Sequence, residues 1–164
     1  MVRLNTCSKM IAYTLSSTVI VTIDTNVLFQ AFYNRRGASH QIIRLMRAGD
    51  ITIAISVPVF QEYRDVLSRE DNRRRLGLDE EAIDTIMQFI AITGRPTNIS
   101  YMWRPNLRDE GDNMVVELAR ASGSEYLITQ NIRDFTRDAD LRNDDLHIVT
   151  PADFMKIWRD THEA

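Results

Sequence analysis

Val19-Ile20-Val21-Thr22-Ile23-Asp24-Thr25-Asn26 is the stretch whose reading decides the fold. Its first five residues are apolar or β-branched without a break, the pattern of a strand buried on both faces of a parallel sheet, where in-out alternation is lost. An acid directly after such a run stands at the strand's carboxyl edge, the side of an open α/β sheet on which ligands bind. Asp24 is therefore a candidate for chemistry. The same Asp24-Thr25-Asn26 sequence also has a purely structural use, because all three residue types accept from free backbone amides and so turn the chain and cap a following helix.

Outward from that strand, apolar runs and helical periods alternate. Residues 27–33 and 39–48 read as helices, the second with Ile42, Ile43, Leu45 and Met46 on one side and Gly49-Asp50 as its stop. Ile51-Thr52-Ile53-Ala54-Ile55 is a second strand, and Ser56-Val57-Pro58 opens a helix over 57–69 with a cap residue and an early proline. The charged run 69–75 reads as a loop or helix end. Residues 79–93 form an amphipathic helix with Leu78, Ala82, Ile86, Phe89 and Ile90 in register, acids in its first turn, and Gly94-Arg95-Pro96 as its stop. A short edge strand is expected over 98–103, and Asp109 caps a helix running through Val115, Val116, Leu118 and Ala119 to Gly123. Tyr126-Leu127-Ile128 centres another buried strand with a polar exit, Asp134 and Phe135 follow in a turn, His147-Ile148-Val149 is the last strand, and Thr150-Pro151 opens a helix over 152–158. The whole reads as an α/β three-layer sandwich with a largely parallel central sheet, one domain over 19–158. Residues 1–18 show no clear period and read as a leader or an extra edge element.

A chain of 164 residues, 44% hydrophobic and 26% charged, suits one compact domain. The single Cys7 makes no internal disulfide, and with three histidines and no second thiol a structural zinc site is excluded. The run 10–23 is broken by Ser16, Ser17 and Thr18 and ends in an acid, so it reads neither as a signal peptide nor as a membrane span. A cytoplasmic protein is expected. Net charge is −3, which repels a polyanion at long range. Eighteen of the twenty basic residues are arginine, however, and they cluster at Arg35-Arg36, Arg44 with Arg47, Arg73-Arg74-Arg75, Arg104 with Arg108, and Arg133 with Arg137. Arginine's planar fork suits phosphate, although solvated faces paired to nearby acids account for such clusters too.

Two further acids fall on inward stripes. Glu62 lies three residues after Val59 and four before Val66, alongside Tyr63 and Leu67, so it needs a cation, a donor or a metal ion, or else sits at the rim paired with Arg64 or Arg69. Asp112 lies three before Val115 and seven before Ala119, in the first turn of its helix, where the helix dipole alone would also favour an acid. Together with Asn131 and Asp134 after another strand, Asp24, Glu62 and Asp112 can converge on one cleft. Carboxylates gathered there repel each other unless a cation joins them, and an all-oxygen set suits Mg2+ or Mn2+.

In this order the residues resemble a known family. A strand ending in Asp24-Thr25-Asn26, a helix carrying Glu62-Tyr63 with Val66-Leu67, Asp109-x-x-Asp112, and Thr129-Gln130-Asn131-Ile132-Arg133-Asp134-Phe135 before Thr150-Pro151-Ala152-Asp153-Phe154 are similar to the PIN (PilT N-terminus-like) domain, most of all to its toxin–antitoxin branch. The resemblance implies metal-dependent endoribonuclease activity, with Asp24, Glu62 and Asp112 holding one or two Mg2+ or Mn2+ ions. It also implies an antitoxin protein as partner and a tendency to homodimerise. Many members carry a fourth acid where this chain has Asn131, with Asp134 three residues on; Asn131 can ligate through its carbonyl or hold a metal-bound water. Thr25, Asn26 and Thr129 are expected to donate hydrogen bonds to the ligands.

Rival readings are fewer. A non-catalytic PIN-like module binding RNA or protein would keep the fold and lose the metal. A receiver-type phosphoryl switch needs a lysine after a later core strand, and the chain has only Lys9 and Lys156. No Gly-rich turn follows the first strand, no P-loop is present, and there is no nucleophile elbow.

Overall fold

The computed structural model describes residues 18–99, 110–136 and 145–162. Strand β1, Val19–Ile23, occupies the middle of a five-stranded sheet ordered β3-β2-β1-β4-β5. Its neighbours are β2, Ile51–Ile55, and β4, Tyr126–Ile128; β3, Arg95–Pro96, and β5, His147–Val149, form the edges. All four pairings are parallel, with Val21 opposite both Ile53 and Tyr126. The uninterrupted apolar composition of β1 follows from this central place, since both of its faces and both of its edges are covered. The strand order reverses between β1 and β4, which creates a crevice at the carboxyl edge there.

Eight helices surround the sheet among the described residues: α1, Thr25–Tyr33; α2, Ala38–Ala48; α3, Val57–Ser68; α4, Glu70–Leu76; α5, Glu80–Thr93; α6, Glu110–Ser122; α7, Ile132–Thr136; and α8, Pro151–His162. Helix α6 lies on β1, β2 and β4 and packs against α3, while α5 and α2 pack on β2 and α8 joins α2. One core results, from Val21, Ile23 and Ile53 in the sheet to Leu67, Ile90, Leu118 and Phe154 on the helices. The α/β sandwich with a parallel sheet is the architecture read from the sequence.

Local expectations hold and fail for identifiable reasons. Ser56 Oγ accepts from the Val59 amide at 3.4 Å with Pro58 in the first turn, as read; Asp79, read as a first-turn acid, is instead the N-cap of α5, its carboxylate accepting from the Ala82 amide at 2.8 Å. The charged run 69–75, read as a loop or helix end, holds a separate helix, α4: Glu70 and Asp71 stand in its first turn and three arginines in its last, the order the helix dipole favours, and Gly77 closes it at φ 64°. In α5 the buried stripe is Ile83, Met87 and Ile90, with Ile86 and Phe89 on its flank, because apolar residues on adjacent faces allow two registers. Phe135 lies fully buried on the short helix α7, where a turn was expected. The edge strand forms at Arg95–Pro96, earlier than read, and Asn98 and Ile99 are outside it. The rest of 98–103, the Asp109 cap, Arg104, Arg108, Arg137 and most of the leader fall outside the described residues.

Candidate functional site

The ladder of β1 extends one residue past the strand: the Asp24 amide donates to the Ile128 carbonyl at 2.9 Å. Asp24 then starts α1, its carbonyl accepting from the amides of Val27 and Leu28 at 2.9 and 3.3 Å. The carboxylate takes no part in that cap. This separates the two readings of Asp24, because a capping aspartate would accept from the first-turn amides through its side chain. Asp24 is instead 5% exposed, and its Oδ2 accepts from Thr129 Oγ1 at 2.8 Å.

Thr129 is itself fully buried and directionally fixed. Its Oγ1 accepts from the Asn131 amide at 3.1 Å, so the hydroxyl proton points to Asp24. The register of β1 against β4 brings these residues together across 105 positions of sequence. Tyr63 completes the floor: wholly buried on α3, it donates from its hydroxyl to the Ile23 carbonyl at 2.6 Å, at the peptide leading into Asp24. Burial pushes the Tyr63 phenol well above its ordinary pKa, and the negative charge of Asp24 pushes it further. The phenol stays protonated. The sequence reading used Tyr63 only as an apolar position; a tyrosine on an inward stripe, whose hydroxyl must find a partner, was the signal available.

The remaining candidates are arranged unequally. Glu62 precedes Tyr63 on α3 and is 30% exposed, with Arg69 Nη2 3.6 Å from its Oε1, whereas Arg64 pairs with Asp84 at 2.7 Å. A pair that long and open to water contributes little. Asp112 is half-buried in the first turn of α6, the helix that lies on β1 and against α3. Asn131 Nδ2 donates to Asp134 Oδ2, so these two supporting residues engage each other at the start of α7. Thr25 is half-buried and Asn26 exposed, and neither side chain makes a hydrogen bond among the described residues.

The elements carrying the three acids are thus neighbours, but the acids are not gathered. Among the described residues no three His, Cys, Asp or Glu side chains are close enough to hold a metal ion. The donor chemistry at Asp24, a carboxylate beside a hydroxyl with no thiol or imidazole bonded to it among the described residues, fits a hard divalent cation better than zinc. Glu62 and Asp112 are carried by α3 and α6, which contact each other, α6 also lying on β1.

No curated protein matches the chain. Among solved structures it is similar to the crystal structure of VapBC2 from Rickettsia felis bound to a DNA fragment from their promoter, with 19% identity and a TM-score of 0.54, covering 80% of this chain and 98% of that one. A family model for the PIN domain matches residues 20–133, a span from within β1 to the start of α7 that holds Asp24, Glu62 and Asp112. A match over that much of the chain, on a fold whose central crevice holds an oriented carboxylate, means that the chain belongs to the PIN domain family, whose members are generally nucleases.

Proposed function

We propose that the protein is a metal-dependent endoribonuclease and the toxin of a toxin–antitoxin pair, with Asp24, Glu62 and Asp112 as the residues that hold Mg2+ or Mn2+. The observation that carries this reading is the Asp24 carboxylate: buried, unused by the cap of the helix it precedes, and held by the Thr129 hydroxyl at the carboxyl end of β1. A buried carboxylate is costly, and a protein that retains one where a simple cap would serve has a use for its charge. The bound ion would lower the pKa of water and neutralise phosphate charge in hydrolysis of an RNA phosphodiester. The protein's own residues do the positioning. Asn131 fixes the Thr129 hydroxyl, Thr129 fixes Asp24, and the neutral Tyr63 phenol holds the Ile23 peptide behind it. Glu62 and Asp112 supply the further carboxylates, and Asn131 with Asp134 a supporting pair at the exit of β4. No side chain in the crevice needs to form a covalent intermediate.

The family's tendency to dimerise and to be restrained by a small antitoxin supports both as partners, as does similarity to a structure titled as a VapBC complex. We take the site of action to be the cytoplasm; no helix among the described residues is long and apolar enough to cross a membrane. We take residues 19–158 as a single domain with 1–18 as a leader or edge element.

The test is cleavage of pooled RNA with Mn2+, Mg2+ or EDTA, comparing wild type with Asp24→Asn and Asp112→Asn. EDTA and each substitution are expected to abolish cleavage; activity that survives all three overturns the metal mechanism. The Glu62–Arg69 pair, with no three-acid group among the described residues, favours a second reading, a non-catalytic module binding RNA or protein. That reading requires a melting temperature indifferent to Mn2+, since any ligand specific for the folded state stabilises it.

A further inference from the structure

Among the arginines of α3, α4 and their junction, Arg69 is committed differently from its neighbours. Arg64, Arg73 and Arg74 hold exposed acids at hydrogen-bonding distance, 2.7, 3.0 and 2.9 Å, and Arg75 lies over the Phe29 and Tyr33 rings at 5.1 Å. Arg69 instead reaches back along α3 to Glu62, its Nη2 3.6 Å from Oε1, too long for a hydrogen bond. Glu62, 30% exposed, is the least exposed acid of any ion pair among the described residues, and Arg69 has no other acidic partner among them.

The backbone of Arg69 is fixed although its side chain is not. Arg69 ends α3 and begins α4: its amide donates to the Asp65 carbonyl at 3.1 Å, and its carbonyl accepts from the Arg73 amide at 2.9 Å. Asn72 Nδ2 clasps the corner through the Val66 carbonyl at 2.7 Å. Further back, the Tyr63 hydroxyl pins α3 to Ile23, next to Asp24, and α3 packs on α1, which Asp24 starts, and on α6, which carries Asp112. A rigid corner therefore offers one long, weakly held cation, its side chain 63% exposed, to a carboxylate that the ribonuclease reading gives to Mg2+ or Mn2+. Two cations at one carboxylate repel each other and share its lone pairs, so they bind it in competition. A solvent-screened pair at this distance is weak and yields readily. The released guanidinium stays within a side chain's length of Glu62, and its planar fork matches phosphate.

We propose that Arg69 is an exchangeable counter-ion of the site: it competes with the divalent ion for Glu62 and, once displaced, grips a backbone phosphodiester of the bound RNA. The proposal rests on the ribonuclease reading above. It gives a net-negative chain a cation that turns to RNA when Glu62 takes its ion.

The test measures Mn2+ binding to the full chain by calorimetry without RNA, and then KM for cleavage of pooled RNA at saturating Mn2+. Wild type is compared with Arg69→Gln, Arg69→Lys and Arg74→Gln. Arg69→Gln should bind Mn2+ about three- to tenfold tighter, the effect of removing a unit charge beside a divalent ion in solvent-screened surroundings. Its KM should rise by about three- to tenfold, and the dependence of log KM on log salt should flatten by about 0.7, the loss of one phosphate contact to a single strand. A merely structural role would weaken both. The melting temperature without Mn2+ should match wild type, because an exposed pair contributes little. Arg69→Lys keeps the charge, so its Mn2+ affinity should stay within about twofold of wild type. Arg74→Gln should leave both quantities unchanged. Mn2+ affinity in Arg69→Gln no tighter than in wild type overturns the proposal, and so does an unchanged KM. An equal gain in Arg69→Lys or in Arg74→Gln also overturns it, the first showing an effect of packing and the second of overall charge. Mn2+ binding and EDTA-sensitive cleavage that ignore Arg69→Gln remove the exchange and keep the ribonuclease; cleavage that persists in EDTA removes the metal-dependent ribonuclease, and the exchange with it.

Discussion

Charge is handled in two opposite ways in this molecule. On α3, α4 and α5 it stands in water and pairs off, Arg64 with Asp84 at 2.7 Å, Arg73 with Glu80 at 3.0 Å and Arg74 with Glu70 at 2.9 Å. At the end of β1 a carboxylate is inside the protein, against a threonine hydroxyl that is itself positioned by a backbone amide. Exposed pairs contribute at most about 1 kcal/mol each, whereas a buried carboxylate costs several kcal/mol unless its lone pairs are met. The first region is replaceable surface. The second is kept against a penalty, and the two should therefore respond very differently to substitution.

Asp24→Asn should have the largest effect. Substituting residues behind a metal ligand costs about 10–100-fold, so losing the ligand itself should lower RNA cleavage by more than about 100-fold. The melting temperature should stay the same or rise, because a buried charge is removed. A stabilisation by Mn2+ of about 2.7 kcal/mol at a hundred times Kd, read as a rise in Tm, should be present in wild type and absent in this variant. Retention of the Mn2+ shift in Asp24→Asn would move the metal away from β1.

Thr129→Val should come next. It removes the donor to Asp24 and the acceptor of the Asn131 amide while preserving shape, and cleavage should fall by about 10–100-fold. Denaturant unfolding should show a loss of about 1–3 kcal/mol, because both former partners are left in or near the interior.

Tyr63→Phe is smaller and has a distinctive pH signature. Losing the hydrogen bond to Ile23 should cost about 1 kcal/mol at neutral pH. A phenol whose folded pKa is raised contributes its stability below the unfolded value of 10.0 and loses it as pH rises above that point. Wild type should accordingly weaken more steeply than Tyr63→Phe above about pH 10, and parallel curves there would contradict the burial of the phenol. Arg74→Ala, at the solvated end of the comparison, should change stability by no more than about 0.5 kcal/mol and leave cleavage intact. A larger effect would mean that this surface has a partner.

The parts of the fold set by local pattern were legible in the residues. The unbroken run Val19–Ile23 announced a central strand and put Asp24 at its carboxyl edge, where the structure has it. The cap at Ser56 and the stop at Gly123 were equally local. Helix α4 was legible in principle, in the order of its acids and arginines, but a run of charge without an apolar stripe looks like loop. The resemblance made Thr129 a donor to the ligands, and the Thr129–Asp24 bond agrees; local pattern alone could not give it, because it depends on the register of β1 with β4 and on which hydroxyl turns inward. Nor could stripe position say how close Glu62 and Asp112 stand: it tells which side of a helix a residue takes, and not how far its carboxylate stands from another helix's.

The Tyr63 hydroxyl ties the middle of α3 to the last carbonyl of the central strand. Sliding of α3 along the sheet would break that buried bond, so the adaptable coordinate for Glu62 is torsion about its own side-chain bonds. Hydrogen–deuterium exchange would register the tether as shared protection, the amides of α3 and those around Asp24 opening in one cooperative event.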